Sequence, residues 1–169
     1  MQSPFETLLE SIVYQQLTGK AAATILGRVK ALYETDFPKP QQILDTADDT
    51  LRAAGLSRAK VASIKDLARK ELDGVIPAID HLHTMPDDEI VEKLTLVRGI
   101  GEWTVQMLLI FRLGRPDVMP TNDYGVRKGY ALTFAKDDLP TAKELAKHAE
   151  RWRPWRTLAA WYLWRALDA

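Results

Sequence analysis

The chain has 169 residues, enough for one well-packed domain with room for two lobes. Apolar residues make up 46% and charged residues 27%; with zero net charge and a pI near 6.8, the composition argues against coating nucleic acid by bulk charge while leaving room for a local basic surface. There is no cysteine, which excludes disulfides, thiolate zinc sites and cysteine-held iron–sulfur clusters.

Met1-Gln2-Ser3-Pro4 carries no basic stretch leading into an apolar core, so no signal peptide is expected. No apolar run approaches the ~18 residues of a membrane helix. The expectation is a soluble, intracellular, cytoplasmic protein with no membrane partner.

Nearly every segment has helical period. Leu8, Leu9, Ile12, Val13 and Gln16 share a face and predict a helix from about Pro4 to Leu17. Ala21, Ala22, Ile25, Leu26, Val29 and Leu32 mark the next, before a break at Phe37-Pro38-Lys39-Pro40. Thr46 or Asp48 caps a short helix stopping at Gly55, and Ser57 caps another with Val61, Ile64, Leu67 and Ala68 as its apolar face. After a turn from Gly74 to Pro77, Pro86-Asp87-Asp88-Glu89 starts a helix with acids in its first turn. It ends at Gly99-Ile100-Gly101, and the next runs from Glu102 to about Arg112. A proline-bearing loop leads to Asp123, which opens a helix to about Phe134. Helices over Thr141–Arg151 and Pro154–Leu167 complete the chain. No segment alternates as a strand, so the fold class is all-α.

Two glycines around one aliphatic residue make a tight hairpin between helices. A helix start presents unpaired N–H groups and a partial positive charge, and anions bind there. Glycine adopts positive φ and has no side chain to hold a phosphate off the backbone. Arg98, Gly99, Gly101, Trp103 and Thr104 therefore read as a phosphate clamp, beside the plainer reading of a core connector. Such a clamp positions DNA without reading its bases.

The pattern L-x-x-V-R-G-I-G-E-W-T-V-Q-M-L-L resembles the helix-hairpin-helix of the DNA glycosylase superfamily. Two further blocks in the same order strengthen the likeness: Ile12-Val13-Tyr14-Gln15-Gln16-Leu17-Thr18-Gly19-Lys20-Ala21-Ala22 and Met119-Pro120-Thr121-Asn122-Asp123-Tyr124-Gly125-Val126-Arg127-Lys128-Gly129. A fourth, Trp152-Arg153-Pro154-Trp155-Arg156, is weaker. Within the superfamily the chain looks most like the 3-methyladenine DNA glycosylase II branch.

The resemblance implies a single two-lobed domain over 1–169, with the active-site cleft between lobes. One lobe would comprise about 20–111, the other 1–19 with 112–169. The extra N-terminal β domain of some relatives is not expected, and the abrupt start leaves open an upstream segment. Some members carry, two residues after the second glycine, a lysine that attacks the sugar and permits strand cleavage. Trp103 stands there, so a monofunctional enzyme is implied, releasing the base and leaving an abasic site. Its substrate would be an alkylated purine of the 3-methyladenine or 7-methylguanine type in double-stranded DNA, in base excision repair.

Asp123 matches the catalytic aspartate of the family motif; a carboxylate there stabilises the cationic sugar and orients water. Its plainer reading is a helix cap. Trp103 and Met107, one turn on, are expected to line the base pocket, where an indole face attracts a cationic base; Trp103 alternatively packs in the core. Tyr14 lines the pocket or packs inside, and Trp155 reaches the pocket. Gln16 is the expected wedge into the stack with Leu17 beside it, unless Gln15 and Gln16 merely end a helix. Trp161 and Trp164, at helical spacing, are expected in the core. Arg127, Lys128 and Trp152 have no assigned role. His81, His83 and His148 lack ligand spacing, so no catalytic metal and no cofactor is expected. By resemblance alone, carbonyls of Thr95, Val97 and Ile100 hold a monovalent cation against the phosphate. The expected state is a monomer. The alternative is a non-catalytic helix-hairpin-helix DNA-binding module.

Overall fold

A computed structural model describes residues 3–168; Met1 and Gln2, on which the leader reading partly falls, and Ala169 lie outside the described residues. Among the described residues every regular element is helical. The chain forms two compact units that meet in sequence at Gly101 and Glu102.

In the first unit, α1 (Pro4–Tyr14) starts with a capping box: Ser3 Oγ accepts the Glu6 N–H and the Glu6 carboxylate accepts the Ser3 N–H. Next come α2 (Gly19–Lys30), α3 (Pro40–Asp45), α4 (Asp48–Ala53), α5 (Arg58–Leu72), α6 (Ile79–Thr84) and α7 (Asp87–Leu94). The core is aliphatic, with Leu8, Leu9, Ile12, Ile43, Leu51, Ile64, Leu67, Leu82, Ile90 and Leu94 fully buried. Truncating any of these to alanine costs about 2–5 kcal/mol. α5 is the hub, packing against α1, α3 and α4.

The resemblance groups the first helix with the C-terminal part of the chain; here the apolar face of α1 packs on α2 and α5, and the two units divide before Glu102 rather than near Phe111.

The second unit contains α8 (Glu102–Phe111), α9 (Tyr124–Thr133), α10 (Ala142–Ala149), a single 3-10 turn (Glu150–Trp152) and α11 (Arg156–Arg165). Met119, Val126, Tyr130, Leu145, Ala149, Ala160 and Leu163 form its core. α9 and α11 approach so closely that a Cβ on Gly129 would lie 1.8 Å from the Leu163 carbonyl oxygen. Only glycine fits there. The same approach sets α11 beside the start of α9, where Asp123 sits.

Candidate active site and phosphate hairpin

Asp123 is the N-cap of α9, and its Oδ1 accepts the Val126 N–H at 2.7 Å. The capping reading is therefore correct as local structure. Two indoles add to it. Trp164 Nε1 donates to Oδ1 at 2.9 Å, and Trp103 Nε1 donates to Oδ2 at 2.7 Å. A carboxylate has about four lone-pair directions; three are filled, leaving Oδ2 one acceptor direction. All three donors are uncharged N–H groups, so the carboxylate is oriented without being paired to a cation.

Trp103 is 48% exposed, so the reading of a buried core aromatic does not hold. Its ring N–H is tied to Asp123 while about half of the residue stays exposed. Met107 lies one turn along α8 and is half-buried. Trp164, expected in the core, stacks on Phe111 with ring centroids 6.0 Å apart and presents its N–H to Asp123. Gly125 makes room for it: a Cβ there would stand 3.0 Å from Trp164 Cδ1 and 3.1 Å from Asp123 Oδ1. Trp161, also expected in the core, is 51% exposed. Trp155, 58% exposed, faces a groove of about 460 Å³ with Phe134, Trp152 and Tyr162, and neither Trp103 nor Asp123 lines that groove.

The loop before Asp123 is tied to α11. Arg156 Nε donates to Asp117 Oδ1 at 2.6 Å and Arg153 Nη1 to Oδ2 at 2.8 Å. Thr157 Oγ1 accepts the Val118 N–H and donates to the Arg115 carbonyl. The Arg156 guanidinium holds the Asp117 carboxyl below the usual carboxylate range, with Arg153 assisting, against the opposing effect of burial. These contacts give the Arg153–Arg156 block its structural meaning. Arg127 is likewise occupied internally, its Nε donating to the Pro140 carbonyl; Lys128 is exposed.

At the hairpin, Val97 and Ile100 are buried and hold the turn in the first unit's core. The Ile100 N–H donates to the Val97 carbonyl at 3.0 Å. Gly99 has φ +80°, and a Cβ on it would come within 2.7 Å of Ser63 Oγ. Gly101, expected to share the positive φ, does not adopt it; its missing Cβ faces open space. The Arg98 N–H donates to Asp66 Oδ2 at 2.8 Å, while its side chain is exposed. Burial raises the Asp66 carboxyl, but the Arg98 N–H and the Lys70 ammonium outweigh it and hold it low. The Thr104 side chain is buried, so only its backbone in the first turn of α8 can serve a phosphate.

Tyr14 is half-buried at the end of α1, and Gln16 and Leu17 are exposed. α1 stops three residues short of the expected Leu17. Gln16 then takes φ +57°, a left-handed conformation unusual for a residue with a Cβ. Gln15 Nε2 donates to the Gly99 carbonyl at 2.8 Å.

The HhH-GPD superfamily of base excision DNA repair proteins matches residues 9–154. The chain belongs to that superfamily. It is 41% identical over 165 residues to DNA-3-methyladenine glycosylase 1 of Schizosaccharomyces pombe, covering 97% of this chain and 72% of that protein. Its fold matches the S. pombe 3-methyladenine DNA glycosylase (Mag1) in complex with abasic-DNA at TM-score 0.87 and 40% identity, over 99% of this chain and 82% of that one. A DNA-3-methyladenine glycosidase from Bacillus halodurans matches at TM-score 0.89 and 36% identity, over 98% and 76%. Trp164, which spacing alone placed in the core, is the second indole donor to Asp123. The pair Gly125 and Gly129, four apart on α9, was the available signal that another element comes close there.

Proposed function

We propose that this chain is a monofunctional DNA glycosylase that hydrolyses the N-glycosidic bond of alkylated purines, of the 3-methyladenine or 7-methylguanine type, in double-stranded DNA. The observation that carries the reading is Asp123, aimed by three neutral donors and keeping a free acceptor direction on Oδ2. As the base departs, positive charge grows on the sugar, and a fixed carboxylate stabilises it more than it does the neutral ground state. The free lone pair accepts a proton from the attacking water. An alkylated base leaves readily because it already carries charge. The exposed indole of Trp103 would attract such a base, an interaction worth about 0.5–2 kcal/mol, with Met107 one turn along the same helix.

Trp103 holds the position where an amine would form a Schiff base, which supports hydrolysis without strand cleavage. Trp155 lines a groove with Phe134, Trp152 and Tyr162 that neither Trp103 nor Asp123 lines. The hairpin amides and Arg98 would hold a backbone phosphate. Oxygen donors suit a hard monovalent cation, and Val97 O keeps a lone pair after accepting the Ile100 N–H. The Thr95, Val97 and Ile100 carbonyls would hold that ion, which adds positive charge beside the phosphate. No helix among the described residues is long and apolar enough to cross a membrane. The enzyme would act as a monomer.

Release of free base from methylated duplex DNA tests the reading. We expect 3-methyladenine or 7-methylguanine in solution, intact strands until alkali is added, and no adduct trapped by borohydride. Tight duplex binding with no base released would instead support the non-catalytic module. A trapped adduct would overturn the monofunctional assignment.

A further inference from the structure

One side of α5 carries Lys60, Ser63 and Asp66, spaced three apart and so adjacent along the helix surface. Each touches a different part of two loops far away in sequence. Lys60 Nζ donates to the carbonyls of Val13 and Gln15, at 2.6 and 2.8 Å, closing the end of α1. Ser63 Oγ fills the space under Gly99, and the Asp66 carboxylate accepts the Arg98 N–H. Burial pulls the Lys60 ammonium below the ordinary lysine value, consistent with an amine committed to these two carbonyls. Gln15 then spans the loops directly through its amide N–H to the Gly99 carbonyl.

The loop so held contains Gln16 in its left-handed conformation, with Lys60 gripping the carbonyls of Val13 and Gln15 ahead of it. A side chain in a disfavoured backbone conformation persists only where its surroundings over-determine it. Two elements that act on DNA at different points, the wedge loop and the phosphate hairpin, are thus braced on one helix and stitched together by one amide. Without the brace, the wedge would have to be ordered during DNA binding, and part of the insertion energy would go into ordering the loop.

We infer that Gln15 is a positioning residue that, with Lys60, couples the Gln16 wedge to the Arg98–Gly101 hairpin, so that phosphate capture and base eversion occur as one step. This rests on the glycosylase reading. Gln15 itself acts through Gly99 and touches no reacting atom.

The test is Gln15→Glu, which keeps size but cannot donate to the Gly99 carbonyl, with Gln15→Ala beside it. Both should lower the thermal midpoint by no more than a few degrees, because Gln15 lies outside the core and contributes one hydrogen bond. Excision is measured on a duplex with one alkylated purine opposite a normal base, and on the same duplex with an abasic gap opposite the lesion, where eversion is cheap. Each variant should slow the first by about tenfold, the rate equivalent of about one hydrogen bond, and the second by less than about twofold. A 2-aminopurine beside the lesion should show the corresponding loss of eversion, and the salt dependence of DNA binding should not change. Wild-type rates in Gln15→Glu, or equal losses on both substrates, would overturn the inference. If the wild-type chain releases no base at all, it is the glycosylase reading that fails. The 2-aminopurine signal then still decides the coupling: reduced eversion in Gln15→Glu supports it and unchanged eversion refutes it.

Discussion

Asp117 and Asp123 lie in one loop, six positions apart, and each takes hydrogen bonds from residues of α11. Asp117 faces two guanidiniums, which occupy both its oxygens and hold its carboxyl low. Asp123 faces two indole N–H groups and one backbone N–H, none of them charged. Arginine neutralises a carboxylate, while indole only orients it. A group that must stabilise a growing positive charge cannot already be paired with one. The same side chain is thus an anchor at 117 and, on the proposed reading, the reactive carboxylate at 123, and the partners make the difference.

The contrast is tested most severely at Asp123. Asp123→Asn keeps the cap and the shape but loses the charge. Base release should fall on the order of 10³-fold, as for loss of a main electrostatic stabiliser, while affinity for duplex DNA persists. Full activity would falsify the assignment. Next are the indoles: Trp103→Phe and Trp164→Phe each remove one donor to a charged acceptor, and kcat should drop about 10- to 100-fold. If neither changes kcat, Asp123 is held by its helix cap alone.

Asp117→Asn should behave in the opposite way, with single-turnover chemistry nearly unchanged and stability lower by about 2 kcal/mol, since the pair is partly buried. Its sign with pH is also fixed. Asp117 has a depressed folded value, so its stabilisation is present above the ordinary carboxylate value near 4 and is lost as pH falls through the lowered one. Thermal midpoints measured below about pH 4 should therefore converge between Asp117→Asn and the wild type. The smallest effect belongs to Arg153→Ala. Its side chain is about half exposed, so the change should lower the thermal midpoint by clearly less than Asp117→Asn does; a loss as large as that of Asp117→Asn would mean that Arg153, not Arg156, is the principal partner.

The sequence made helix starts readable wherever the stabilising group is local. Ser57, Asp123 and Thr141 are all N-caps as their positions suggest. The six-residue helices α3 and α6 were not expected, because one and a half turns show too little periodicity. The early stop of α1 depends on Lys60, 45 residues beyond Gln15, and leaves no local trace. The sequence singles out Asp123 and Trp103 as candidates but not their direct hydrogen bond, and helical spacing puts Trp164 with Trp161 although only Trp164 packs on the core and reaches Asp123. Spacing reports which residues share a helix face. It does not say that one tryptophan of a pair meets a carboxylate across a gap opened by Gly125, while the other meets solvent.

The bond from Trp103 to Asp123 also limits how this enzyme could evolve. The indole face that would greet the damaged base and the carboxylate that would release it are joined by one hydrogen bond of 2.7 Å. On the proposed reading, replacing Trp103 to admit a bulkier lesion would also remove a hydrogen bond from Asp123, so breadth and speed would be tied together at that position. Met107, on the same helix but free of that bond, can vary alone. New lesion preferences in this lineage should therefore accumulate at 107 before 103.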